Sequence, residues 1–179
     1  MTDHSLDQLS PARRAKIAAK DRRYAAVHEA GHVVVARYLG LFGVQAEIRK
    51  IDPQDYTDKE WVGSTRCLML DVDASTRIMV AVAGAVAEAC WHNEIFDELY
   101  TTLEDSPEQM SQSDWEMSGC SPGEVSEQFW DAMEQVFELL NRDTGKLWNV
   151  LLTEARSLIE RSRLGAEHSM HSEPCGLAR

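Results

Sequence analysis

Between residues 11 and 39 apolar side chains return at helical spacing, at Tyr24, Val27, Val34, Val35 and Tyr38, and only Gly31 interrupts the helix formers. Ser10 before Pro11 supplies a capping hydroxyl and a proline at the first helical position, and Gly40 is the natural stop. Val44, Ala46 and Ile48 then alternate with Gln45, Glu47 and Arg49, the pattern of a half-buried strand. A polar loop follows over Asp52–Lys59, with Pro53 inside it. Trp61 to Leu70 reads as a second strand in which Gly63 is a weak point or bulge. A small two- or three-stranded sheet beside helices is expected.

Downstream, Ser75 can cap a helix from Thr76 to His92, rich in Val and Ala and so packed on most sides. The acidic stretch Asn93–Gly119 has few periodic apolar positions and reads as a long connection, the kind that is usually functional or mobile. Ser121-Pro122-Gly123-Glu124 matches a capping box. The helix it opens shows Val125, Phe129, Met133, Val136, Phe137 and Leu140 on one face. Leu147, Leu151, Leu152, Ala155, Leu158 and Ile159 line another. An antiparallel pairing of these two faces is the simplest burial. The fold class is therefore α+β, mainly helical, with a long first helix, a small sheet and a C-terminal helical pair. Residues 1–9 are expected to be a flexible lead-in, 10–164 one domain, and 165–179 a flexible tail.

Composition narrows the class. The chain has 179 residues, 44% hydrophobic and 27% charged, which is globular. The longest apolar run, Ile78 to Ala87, falls far short of the ~18–20 residues of a bilayer span, and the N-terminus shows no apolar signal region. A cytoplasmic location is the expectation. Cys67, Cys90, Cys120 and Cys175 form no C-x-x-C pair and are expected to be reduced and structural, with Cys90 and His92 serving packing. His168, His171 and Cys175 fit a polar tail better than a second metal site.

A net charge of −12 argues against nucleic-acid binding. Six basic residues crowd residues 11–23, whereas Ile78 to Asn141 contains fourteen acids and no lysine or arginine. The plain reading is two solvated surfaces. The sharper one docks the basic helix on the acidic half or on an acidic partner.

The chemistry lies in His28-Glu29-Ala30-Gly31-His32. Residues four apart stand on one helix face, roughly 5–6 Å from each other, so two imidazoles can converge on one zinc ion. Glu29 is offset from that line and reaches the attacking water instead, as a general base. This is the H-E-x-x-H pattern on the helix it requires. Catalytic zinc usually takes three protein ligands, and two downstream acids are candidates for the third. Glu88 is an isolated charge in an apolar helix, and Asp114 lies in Ser111-Gln112-Ser113-Asp114-Trp115, where a short helix is expected to start. Periodicity does not choose between them.

The segment Tyr24-Ala25-Ala26-Val27-His28-Glu29-Ala30-Gly31-His32 resembles the protease domain of the FtsH family of ATP-dependent zinc metallopeptidases (peptidase family M41). Gly84-Ala85-Val86-Ala87-Glu88 is similar to the family's Gly-x-x-Ala-Glu helix, without its usual arginine. Ser113-Asp114-Trp115 is similar to its Asn-Asp-Leu segment, with Ser for Asn and Trp for Leu. Trp61-Val62-Gly63-Ser64-Thr65 resembles its edge strand beside the metal. The resemblance implies a zincin-like site with zinc on His28, His32 and Asp114, Glu29 as base, and Glu88 supporting a ligating histidine. It implies peptide hydrolysis, with substrate added as a strand near Val62–Thr65.

No P-loop is present, since Gly145-Lys146 runs into Leu147 without the earlier glycine. The expected partners are a short or unfolded polypeptide and a separate unfoldase. The alternatives from other classes are a non-catalytic binding module of the same family and a hydrolase restricted to one partner.

Overall fold

The computed structural model describes residues 11–51 and 60–169. Residues 1–10, 52–59 and 170–179 lie outside them, so the expectations for the lead-in, the polar loop with Pro53 and the end of the tail fall outside the description.

Helix α1 spans Pro11–Tyr38. It closes as the sequence suggests: Gly40 has φ +77°, its N–H bonds the Arg37 carbonyl at 3.1 Å, and the Leu41 N–H bonds that of Ala36 at 2.9 Å. This double bond is the Schellman closure, which needs the left-handed residue at Gly40. Strands β1 (Phe42–Lys50) and β2 (Trp61–Leu68) pair antiparallel, making a two-stranded sheet. Its irregularity sits between Phe42 and Gln45, around Gly43. Gly63, expected to be the weak point, pairs in regular register with Ile48. Its missing side chain serves the site instead.

Helix α2 (Ala74–His92) is capped two residues earlier than expected, by Asp73, whose carboxylate accepts the Thr76 N–H at 2.8 Å. Residues Ile78 to Ala87 are buried along its whole middle. The acidic stretch is not an open connection. It holds α3 (Phe96–Asp105), a single 3-10 turn (Pro107–Gln109) and α4 (Gln112–Ser118). Leu99 and Leu103, four apart, anchor α3, and Trp115 anchors α4 by stacking on Phe129 with ring centroids 5.4 Å apart. Ser121–Glu124 is a tight turn, and α5 (Glu127–Leu140) opens on Ser126, whose hydroxyl accepts the Phe129 N–H at 3.3 Å. Helix α6 (Trp148–Ser169) runs five residues beyond the domain boundary expected at Leu164.

The architecture is α+β and mainly helical, built around the α1–α2 pair. Gly31 permits that pairing: a methyl group there would stand 2.7 Å from the Ala87 Cβ, well inside contact distance. The expected pairing of α5 with α6 gives way to a different one. Helix α5 lies against α2 and α6 against α1, and the two barely touch. Each apolar stripe is buried by a central helix that has several faces to cover.

Arg22 of the basic turns reaches α6, donating to the Ile159 carbonyl at 2.8 Å and the Ser162 hydroxyl at 3.1 Å. Its guanidinium also lies 4.5 Å from the centre of the Trp61 ring. Among the described residues no helix is long and apolar enough to cross a membrane.

Candidate metal centre

Four elements meet at the site. Helix α1 brings His28, Glu29 and His32, α2 brings Val80, Gly84 and Glu88, α4 brings Asp114, and β2 brings Gly63 and Thr65. His32, Asp114 and Glu29 are buried, at 3%, 5% and 6% exposure. Burial of that many polar groups is tolerable only when each is paired.

The pairing fixes which way the imidazoles face. His32 Nδ1 lies 2.7 Å from the Val80 carbonyl oxygen, which can only accept, so Nδ1 carries the proton and Nε2 presents a lone pair. His28 Nδ1 lies 2.8 Å from Glu88 Oε1, which orients that ring in the same way. Both Nε2 atoms then converge on the Asp114 carboxylate. The separations are 3.1 Å between the two nitrogens, 3.4 Å from His28 to Oδ2 and 3.5 Å from His32 to Oδ1. Three ligands bonded at 2.0–2.1 Å to a tetrahedral ion stand about 3.3 Å from one another. The donor set, two imidazole nitrogens and a carboxylate, therefore fits a metal ion in both chemistry and spacing.

Each of these three side chains is held in place. Asp114 is the third residue of α4, and the Ser111 hydroxyl that caps this helix also donates to its Oδ2 at 2.7 Å. The Trp115 indole N–H bonds the Pro107 carbonyl at 2.9 Å, tying α4 to the preceding turn. Gly84 faces the two imidazoles, and a methyl there would lie 2.6 Å from His32 Nε2. Glu88, weighed against Asp114 as a ligand, sits on the far nitrogen of His28, the place of an orienting carboxylate.

The electrostatics follow from the same contacts. Burial would depress the His28 imidazole, but hydrogen bonds to Asp114 and Glu88, with the charges of Glu88 and Glu29, lift its pKa to about 10. His32 is held below the ordinary histidine range by burial and by its charged neighbour His28. Asp114 is lowered: burial would raise it, but the hydrogen bond from His28, the charges of both histidines and the Ser111 hydroxyl outweigh that. A proton on His28 does in the metal-free protein what a cation would do at the same point.

A cleft of about 610 Å³ opens beside the centre. Tyr24, His28 and Glu29 of α1 form one wall, Trp61 to Gly63 of β2 another, and Glu108 and Ser111 close the far side. The Cys90 and His92 pair takes no part. The Cys90 thiol is pushed up to about 12 by burial and the Glu94 charge, and His92 packs on Tyr24 with ring centroids 5.0 Å apart.

Sequence reasoning singled out His28, Glu29, His32, Asp114 and Glu88, and the structure brings all five together. It gave no role to the Val80 carbonyl or to Ser111. A main-chain oxygen leaves no residue signature, whereas Ser111 three residues before Asp114 is a capping spacing that could have been read.

Comparison with models of known protein families and with curated proteins gave no match, so the functional reading stands on the geometry.

Proposed function

We propose that this chain is a zinc-dependent endopeptidase resembling the protease domain of the FtsH family, acting on short or unfolded polypeptides. The observation that carries the reading is the convergence of three ligand atoms at tetrahedral spacing beside a buried glutamate and an open cleft. Zinc is the natural ion for two imidazoles and one carboxylate, the three-ligand set of hydrolytic sites.

His28, His32 and Asp114 would hold the ion. Zinc in such a site supplies Lewis acidity, lowering the pKa of water towards 7 and polarising a carbonyl. The chain's own residues do the rest. Glu29 takes the proton of the attacking water and returns it to the leaving amine. Glu88 and Val80 keep both imidazole lone pairs pointed inward. The edge of β2 away from β1 borders the cleft at Trp61–Gly63, which suits an extended backbone added as a strand. Such binding needs few side-chain contacts, in keeping with unfolded substrates delivered by a separate unfoldase. A cytoplasmic setting accords with this reading.

The test is Glu29→Gln. It should keep one zinc per chain and lose roughly 10²–10⁴-fold in turnover of denatured casein, the range of lost acid–base catalysis. Unchanged turnover would overturn the assignment, and zinc binding without cleavage in the parent protein would make the chain a binding module instead.

A further inference from the structure

Glu29 belongs to α1 but is gripped by the sheet. The Thr65 hydroxyl donates to Glu29 Oε2 at 2.6 Å, the length of a strong bond to a carboxylate. Among the described residues this is the hydrogen bond that the carboxylate accepts. Gly63 lies two residues earlier on the same face of β2, where a methyl group would stand 2.6 Å from Glu29 Cδ. The strand thus offers a hydroxyl to one end of the carboxylate and a gap for the rest of the side chain.

We propose that Thr65, with the space at Gly63, is the positioning device for the base. A glutamate side chain has three torsions to fix. Thr65 fixes them well because a β-branched side chain on a strand has little rotamer freedom of its own. The same strand borders the cleft, so the device sets the base in register with any backbone that adds to β2. Thr65 acts through Glu29 and does not itself touch the reacting atoms. This inference rests on the peptidase reading.

The experiment compares Thr65→Val, Thr65→Ser and Thr65→Cys with the parent by kcat, KM, bound zinc and Tm, on denatured casein and a short peptide. Thr65→Val should lower kcat by roughly 10–100-fold with KM and one zinc retained, and Thr65→Ser should restore most of it. Thr65→Cys, similar in size but a weak donor, should fall between them and serves as the reporter if Thr65→Val does not fold. A lower Tm with full kcat in the folded fraction would make the hydroxyl a packing group and overturn the proposal. A zinc-loaded parent protein without turnover would remove the peptidase reading and this inference together. An active parent with unaltered kcat in Thr65→Val and Thr65→Cys removes this inference alone.

Discussion

His32 donates its Nδ1–H to the Val80 carbonyl, 2.7 Å away, and this main-chain contact decides that Nε2 faces Asp114. The carbonyl belongs to a buried turn of α2, so the helix that packs on α1 also sets the tautomer of this imidazole. Imidazole orientation is thus part of helix packing.

The two carboxylates near His28 should separate cleanly. Asp114→Ala removes a ligand and should weaken zinc binding by more than the ~10–100-fold typical of an orienting partner, while Glu88→Ala should stay within that range. Zinc titrations, with circular dichroism to confirm folding, check both. Loss of zinc in Glu88→Ala beside parental affinity in Asp114→Ala would make the site His-His-Glu.

Gly84→Ala is a test of space. The added methyl would lie 2.6 Å from His32 Nε2, so either the imidazoles or the helices must move. Overpacking of this kind costs about 1–3 kcal/mol, and here zinc affinity should fall with it. Urea unfolding and zinc titration of the variant measure the two effects. Parental values in both would show that the α1–α2 contact is slack.

Zinc binding should release protons. The His28 pKa of about 10 means that near pH 8 the metal-free imidazole still carries the proton on Nε2 that a metal must displace. About one proton per zinc is expected, read by calorimetry in buffers of different ionisation enthalpy. The same shift sets a stability window. The folded value lies above the unfolded 6.5, so this contribution is complete below pH 6.5 and is lost as pH rises through about 10. His32 has the opposite sign: its lowered pKa stabilises the metal-free fold above pH 6.5, and the benefit fades as pH falls. Denaturation of metal-free protein across this range should show both limbs.

Much of the site was legible because its core is local. His28, Glu29 and His32 lie within one turn and a half of helix, where period and motif speak directly. Asp114 is far along the chain, so the residues alone left it beside Glu88 as a candidate, and the distances to the two Nε2 atoms are what separate them. The sheet and the central helices followed from alternation and from the Val/Ala run. Helix α3 was hidden because exposed acids outnumber its anchors Leu99 and Leu103, whereas the short helix at Asp114 was expected. The partners of α5 and α6 were misread for another reason. An apolar stripe says how wide a face needs covering, not which neighbour covers it, and α2 had faces to spare.

The grip of Arg22 on α6 carries a consequence for anyone handling this protein. The guanidinium that lies against Trp61, on the wall of the cleft, also donates to Ile159 and Ser162. Trimming or fusing the chain close to Ser162, a site chosen for its distance from the metal centre, would loosen a clasp on the wall of that cleft. Under the peptidase proposal, the expected result of such shortening is an altered peptide preference with bound zinc and melting temperature retained.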